Sequence, residues 1–263
     1  MSYFSGILSL IVTILAFTVL WAISLRTKNA AIADVYWGPG FVVTAGVHLL
    51  TGENFSTGQL AFAALIAIWG IRLGLHLWVR HSVSQGEDGR YALMRERGGK
   101  NWPMKSLFSL FLVQAIVQWL IALPIFLALT PLAVGEPGLW GRIGVLIFAV
   151  GITFETLADA ALARFKRNPE NSGKLLTTGL FAWSRHPNYF GEILIWLGLA
   201  IFAYSMSAAS IVFLSPLLLA FLIIRASGIP PLEEILEQRE GFDAWRTNTN
   251  ALIPWPPKRD QTL

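Results

Sequence analysis

Residues Ser184–Ala203 read "SRHPNYFGEILIWLGLAIFA". An arginine, a histidine, an asparagine and a glutamate crowd the first nine positions, and an apolar run follows. Pro187 suits the first turn of a helix, where its missing N–H leaves no bond unmade. The stretch therefore predicts a hydrophobic helix with a polar mouth. In lipid such polar groups are costly and are kept for function.

The same contrast runs along the whole chain. Of 263 residues 54% are hydrophobic and only 14% are charged, against about a quarter charged in a soluble domain. The apolar residues come in long runs, and a membrane helix needs roughly 20 of them. Seven spans are predicted near 4–25, 31–50, 58–80, 107–133, 138–163, 187–204 and 208–225. The expected fold is all-α, a single seven-helix integral membrane domain over residues 1–263. The first span lacks a basic leader region and a small-residue cleavage site, so it reads as a retained helix. With no cysteine, disulfides, thiolate zinc sites and cysteine nucleophiles are excluded. No basic, aromatic-interleaved soluble module is present, which argues against a nucleic-acid partner.

Basic residues set the expected topology. Arg26 and Lys28 follow span 1. Arg80, Arg90, Arg95, Arg97, Lys100 and Lys105 surround the connection at 81–106. Arg164, Lys166, Arg167, Lys174 and Arg185 surround that at 164–186. Arg225, Arg239, Arg246, Lys258 and Arg259 belong to the tail. All of these fall on one side of the membrane, Arg142 on the other and Arg72 within a span. The N-terminus is expected outside and the C-terminus in the cytosol.

Six ionisable residues lie in the spans or at their mouths: Asp34, Arg72, His76, Glu155, Asp159 and Glu192. Arg72, His76 and Arg80 share one helix face at i, i+4 and i+8. Glu155 and Asp159 share a face of span 5, as do Asn188, Glu192 and Trp196 of span 6. Asp34, Asp159 and Glu192 sit at cytosolic mouths, and Arg72 lies about 12 Å deep at 1.5 Å per residue. A polar cavity opening to the cytosol is the functional reading. The structural alternative pairs Arg72 with Asp34 or Glu155 to hold the bundle together. A transporter would also use such groups, although no inverted repeat or broken midplane helix is evident.

The N-terminus of span 6 offers unpaired N–H groups and a helix dipole, and Arg185 and His186 add positive charge. With Lys166, Arg167 and Lys174 upstream, this end would suit a pyrophosphate or phosphorylated ribose. Asn188 provides a donor and an acceptor, and Glu192 could take a ribose or carboxamide group. A basic loop held against anionic headgroups explains the cations, but not the Asn-Tyr-x-Gly-Glu that follows them.

The segment "LLTTGLFAWSRHPNYFGEILIWLG" resembles the signature of the membrane-embedded steroid 5-alpha-reductase superfamily, especially a bacterial branch catalogued as a domain of unknown function. Sterol C14-reductases carry a related pattern. "ADVYWGPGF", "WGIRLGLHLWVR", "GEDGRY" and "FDAWRTNTNALIPW" extend the resemblance over nearly the whole chain. It implies a seven-helix reductase that binds NADPH from the cytosol. Hydride then goes to the β-carbon of a lipophilic α,β-unsaturated ketone, such as a 3-oxo-4-ene steroid, entering from the bilayer among the membrane lipids.

In that family an acid and a tyrosine hydrogen-bond the ketone oxygen as enolate charge develops. Asp34 matches the acid by position, while the family's Gln-Glu pair becomes Ala33-Asp34. Span 3 has no tyrosine and carries Trp69, Arg72 and His76, which leaves Tyr36 and Tyr91 as candidate replacements. A hydrogen bond from Asp34 to a ketone would require protonation. Proximity to Arg72 would oppose that, and if the two pair, His76 or a tyrosine is the expected donor. The implied cofactor contacts are Glu155, Asp159, Lys166, Lys174, Arg185, His186, Asn188, Tyr189, Glu192, Trp196 and Arg225.

A rival resemblance is to isoprenylcysteine-type methyltransferases, which use S-adenosylmethionine. They share an Arg-His-Pro-x-Tyr-x-Gly core and a tail with paired glutamates, here "RHPNYFG" and "PPLEEILEQREGFDAW". Asn188, the lysines at 166 and 174 and the buried acids at 34 and 159 favour the reductase. Elsewhere, His48 and Glu53 read as surface polars near the outer face. Pro124, Pro131 and Pro216 read as kinks, and most tryptophans as interface anchors. "GEDGRY" is either a lid in which Asp88 pairs with Arg90 or a solvated turn. "GIPPLEEILEQREGFDAW" predicts a short amphipathic helix at the cytosolic mouth.

Overall fold

The computed structural model describes residues 2–83, 86–131, 133 and 135–257. Lys258 and Arg259, counted above in the tail, lie outside the described residues. Among the described residues there are α-helices and short 3₁₀ and π turns but no strand. The helices are α1 (Ser2–Thr27), α2 (Ile32–Thr51), α3 (Thr57–Val83), α4 (Gly89–Gly98), α5 (Trp102–Ser106) and α6 (Leu112–Ile121). They continue with α7 (Leu123–Ala128), α8 (Gly138–Arg167), α9 (Pro187–Ser207), α10 (Leu214–Arg225), α11 (Ile229–Leu236) and α12 (Phe242–Asn248).

Six helical segments are long and apolar enough to cross a membrane: Phe4–Thr27, Thr57–Val83, Gly89–Ile121, Gly138–Arg167, Pro187–Ser207 and Ser210–Leu236. The predicted seventh, α2, forms a 20-residue helix but is not among them. Asp34, His48 and the Tyr36–Gly40 run dilute its apolar content.

Exposure in α1 runs opposite to that of a soluble helix. Phe4, Ile7, Ile11, Leu15 and Val19 face outward, while Ser5, Ser9 and Thr13 are buried together with Phe17. The buried hydroxyls are satisfied locally or across helices. Thr13 Oγ1 donates to the Ser9 carbonyl at 2.8 Å, and Ser5 Oγ lies 2.7 Å from Thr51 Oγ1. Lipid tails are as apolar as leucine, so helix packing in a membrane relies on small and hydroxylated faces. The crossing of α2 and α3 follows that rule. A Cβ built on Gly38 would lie 2.5 Å from the Gly70 carbonyl oxygen, and one on Gly70 would lie 2.6 Å from that of Gly38.

The chain divides into two compact units. Unit 1 comprises Met1–Gly144 with Leu199–Ser215, and unit 2 comprises Val145–Gly198 with Pro216–Leu263. Phe17, Ala33, Tyr91, Trp102, Phe111 and Ala115 form a core in unit 1. Ala158, Phe181, Phe242 and Trp245 form one in unit 2. Within unit 2, α8 and α9 cross at glycines. A Cβ on Gly191 would come within 2.6 Å of the Gly151 carbonyl oxygen and of the Glu155 N–H nitrogen. That close approach is why glycine follows "NYF" in the 184–203 stretch.

Five expectations change. The fourth span does not run unbroken to 133: Trp102–Ile121 is helical through a π turn at Leu107–Phe111, then Ala122 leaves the helix at ψ 1°. Pro124 opens the separate helix α7 and kinks nothing. The connection at 81–106 contains α4 and α5. The tail is two short helices, with Gly241 between them at φ 81°, a left-handed turn that glycine adopts freely. His48 is buried and stacks on Phe126 at 5.3 Å, whereas Glu53 is exposed as expected.

The Gly38–Gly70 contact leaves no room for a side chain. Gly70→Val is expected to cost about 1–3 kcal/mol through overpacking, seen as a lower melting temperature in detergent. Gly46, also on α2, has nothing within 4 Å of an added Cβ. Gly46→Ala should leave the melting temperature unchanged or raise it.

Candidate functional site

Unit 1 brings together an acid, a phenol and a guanidinium from two helices. Asp34 lies in the first turn of α2. Asp88 caps the N-terminus of α4, its side chain accepting from the Arg90 N–H at 3.1 Å, and this fixes where residues 90 and 91 emerge. Arg90 grips Asp88 through Nε at 3.0 Å and Nη2 at 3.2 Å. The same Nη2 reaches Asp34 Oδ2 at 3.1 Å, and the Tyr91 hydroxyl donates to Asp34 Oδ1 at 2.5 Å. "GEDGRY" therefore contains the Asp88–Arg90 pair and delivers Arg90 and Tyr91 to Asp34. Of the arginines on either side, it is Arg90 that bonds the Asp34 carboxylate.

Two glutamines of α6 complete this face, and the sequence reading passed over both. Gln114 Nε2 lies 3.4 Å from the Tyr91 hydroxyl, and Gln118 Nε2 donates to the Trp37 carbonyl at 2.8 Å. The available signal was a pair of glutamines at i and i+4 inside "LVQAIVQWLI". Tyr36 packs edge-on against Phe17, with ring centroids 5.5 Å apart. Arg72 and His76 are half-buried on α3, and Arg80 is exposed.

A second clasp precedes the cluster. Glu87 accepts two bonds from Arg95, both 2.8 Å, and one from the Ala30 N–H at 2.7 Å. Burial raises the Glu87 carboxyl, but these hydrogen bonds outweigh it and hold the group below its ordinary value of 4.5. Because the folded value is depressed, the clasp stabilises the structure above pH 4.5 and weakens as pH falls through the depressed value.

Unit 2 places the mouth of α9 against the tail. Glu233 Oε1 accepts from Arg185 Nε at 2.8 Å and from His186 Nε2 at 3.0 Å. Arg185 Nη1 also donates to the Arg246 carbonyl at 3.1 Å and to the Thr249 carbonyl. Backbone bonds run alongside, from Arg185 N to Asn250 O at 2.8 Å and from His186 N to Ala251 O at 3.1 Å. Arg185 is 8% exposed and His186 2%. The two residues assigned to an anion thus join α9 to α11 and to the stretch after α12. Glu233, which sequence reading noted only as one of a glutamate pair, holds both.

One turn further on, Asn188 Nδ2 lies 3.4 Å from Asp159 Oδ1. Glu155 and Asp159 are buried on the α8 face that meets Gly191. Tyr189 stacks on His186 at 5.5 Å, Trp196 is fully buried, and Glu192 is half-buried. Lys166, Lys174 and Arg225 are exposed. A depression of about 310 Å³ is lined by Thr177, Ala182, Gly241, Ala244, Trp245, Asn248, Thr249 and Pro257. None of the expected cofactor contacts lines it, so it carries no functional weight.

Comparison with known sequences identifies the family of the chain. Residues 20–249 match a family described as "Protein of unknown function (DUF1295)". The chain belongs to this family. DUF1295 lies in the steroid 5-alpha-reductase superfamily. An uncharacterised protein of Schizosaccharomyces pombe is 28% identical over 220 residues, covering 74% of this chain and 64% of that protein. The DUF1295 chain thus spans less than two thirds of that relative. Two shorter matches point to different chemistries. The steroid 5-alpha-reductase DET2 of Gossypium hirsutum is 40% identical over 68 residues, 25% of this chain and 26% of that enzyme. The probable O-methyltransferase ustE of Ustilaginoidea virens is 43% identical over 70 residues, 25% of each.

Glu233→Ala leaves a buried guanidinium without its carboxylate and is expected to cost about 3–5 kcal/mol. Limited proteolysis should then cut between residues 229 and 257 before the rest of the chain. Acidification tests the other clasp. Below pH 4.5 the amides of residues 86–95 should lose hydrogen-exchange protection, and Glu87→Gln should lack that protection already at neutral pH.

Proposed function

We propose that this chain is an NADPH-dependent membrane reductase that transfers a hydride to the carbon–carbon double bond of a lipophilic enone. The observation that carries the reading is the Tyr91 hydroxyl bonded to Asp34 at 2.5 Å, with Arg90 on the other carboxylate oxygen at 3.1 Å. Paired with a guanidinium and accepting from a phenol, Asp34 acts as an acceptor. When a ketone binds, its oxygen would take the place of Asp34 as acceptor of the single Tyr91 proton, while Arg90 keeps its bond to Asp34. Bound NADPH would supply the hydride for the β-carbon. Tyr91 would then stabilise the enolate charge on the ketone oxygen, and a proton from solvent would complete the α-carbon.

The donor set of unit 2 fits a phosphorylated dinucleotide. Lys166, Arg167 and Lys174 are exposed cations on one connection, and Asn188 carries an amide beside the buried acids Asp159 and Glu155. Glu192, Tyr189, Trp196 and Arg225 complete the assigned contacts. Arg185 and His186 serve the site by fastening the mouth of α9. The superfamily relationship and the match to a steroid 5-alpha-reductase support the same activity. In this reading α2 is a seventh span, the N-terminus lies outside, and the C-terminus and cofactor face the cytosol. The distribution of lysine and arginine supports that orientation, and both units serve one catalytic domain.

The second reading is an S-adenosylmethionine-dependent methyltransferase, favoured by the match to ustE. Methyl transfer has no need of a phenol braced by an acid and an arginine. Titration of NADPH, NADH and S-adenosylmethionine into the detergent-purified protein separates the two readings. NADPH binding is expected, with Asn188→Ala weakening it about tenfold, the worth of one hydrogen bond. Tyr91→Phe should bind NADPH normally and lose about 10²–10³-fold in kcat on an enone, as for one oxyanion donor. Binding of S-adenosylmethionine alone would overturn the reductase.

A further inference from the structure

The two glutamines of α6 have committed nitrogens and uncommitted oxygens. Gln118 is fully buried, and its Nε2 must face the Trp37 carbonyl at 2.8 Å, since a flipped amide would set oxygen against oxygen. Its Oε1 is buried with no hydrogen-bond partner among the described residues. For Gln114 the direction follows from Tyr91. A phenol has one proton, and that proton goes to Asp34 at 2.5 Å. Its oxygen therefore accepts from Gln114 Nε2 at 3.4 Å. Gln114 Oε1 is then the second buried acceptor without a donor.

Buried polar atoms without partners are uncommon in native proteins, and each costs about 1–3 kcal/mol. Two of one kind on one helix face, about 6 Å apart along the axis, beside a phenol and a carboxylate, are best explained by what binds there. Gly40 belongs to the same arrangement: a Cβ at that position would overlap the Gln118 amide. Glycine on α2 is what admits a glutamine at 118.

We propose that Gln114 and Gln118 are specificity-determining residues, and that the lipophilic ligand of unit 1 carries hydroxyl or N–H donors which their Oε1 atoms accept. The inference rests on the reductase reading for the placement of the ketone at Tyr91. It adds that the substrate is a hydroxylated enone. Bare hydrocarbon against these oxygens would leave them unpaired, so the face discriminates against the deoxygenated compound. One hydroxyl bond of this kind corresponds to about a tenfold to hundredfold preference.

The test is binding of matched enone pairs, differing only by a hydroxyl one to several carbons from the ketone, to the full chain in detergent without NADPH. Gln114→Met and Gln118→Met keep side-chain volume but remove the acceptor together with the amide donor to Tyr91 or to the Trp37 carbonyl, while Gln114→Glu removes the donor alone and keeps acceptor oxygens. The expected result is tighter binding of at least one hydroxylated member by tenfold or more. That advantage, read as the ratio of the two members' affinities within each variant, should vanish in a methionine variant and persist in Gln114→Glu. If Gln118→Met fails to fold, Gln114→Met and Gln114→Glu decide alone. Equal affinities for both members of every pair, or no binding by any pair, overturn the inference, the amide oxygens then being served by water. Separate NADPH turnover assays keep the two ideas apart. Reduction of both members without preference removes this inference and leaves the reductase. Hydroxyl-selective binding without turnover does the reverse.

Discussion

A carboxylate shared between a guanidinium and a phenol governs unit 1. Asp34 carries its charge at the first turn of α2, in a segment otherwise rich in small and apolar residues, and an isolated charge there would be expensive. Arg90 and Tyr91 remove that cost together, and they reach Asp34 only because Asp88 starts α4 where it does. Glu87 then ties the approach to the turn between α1 and α2 through the Ala30 N–H. Four consecutive polar or small residues, Glu87 to Arg90, thereby tie the connection between α3 and α4 into the polar cluster. Tyr91 gains a fixed direction that no loop residue would have.

Unit 2 depends on the same physics with the charges exchanged. Arg185 is the buried ion, and Glu233 with two backbone carbonyls completes its shell. A guanidinium has five donors in one plane, so it can hold a side chain and two turns of backbone at once. A lysine could not. On this geometry the Arg-His pair at the mouth of α9 is an anchor. The helix proper starts just beyond it at Pro187, and Gly191 lets α8 approach closely.

What was legible in the sequence divides along physical lines. Runs of apolar residues placed α1, α2, α3, α8 and α9 to within four residues at each end, because burial of a backbone in lipid permits little except a helix. The run for the fourth span overshoots the helix end at Ile121. Pro187 placed the start of α9 for the same reason it always does at a first turn. Asp34 and Tyr91 were both found, one by its charge in an apolar run and the other through family resemblance. Their direct bond required the fold of "GEDGRY", which local sequence leaves open between lid and turn. The break at Ala122 lies two residues before Pro124, whose missing N–H and ring interrupt a helix, a signal read in the sequence only as a kink. Gln114 and Gln118 were missed because neutral amides barely disturb hydropathy, unlike His48, whose ring suggested the surface and is in fact buried against Phe126.

The two short matches, to a reductase and to an O-methyltransferase at 40% and 43% identity, differ too little to choose between activities. The residues separate what those numbers cannot. Both resemblances include Arg-His-Pro-x-Tyr-x-Gly, and here Arg185 and His186 fasten a tail while Gly191 permits a helix crossing. A scaffold of that kind serves either chemistry equally. Reduction is proposed on groups that methyl transfer would leave idle: a phenol beside an acid, and an arginine bonded to that acid. That set lies wholly in unit 1, outside the shared motif.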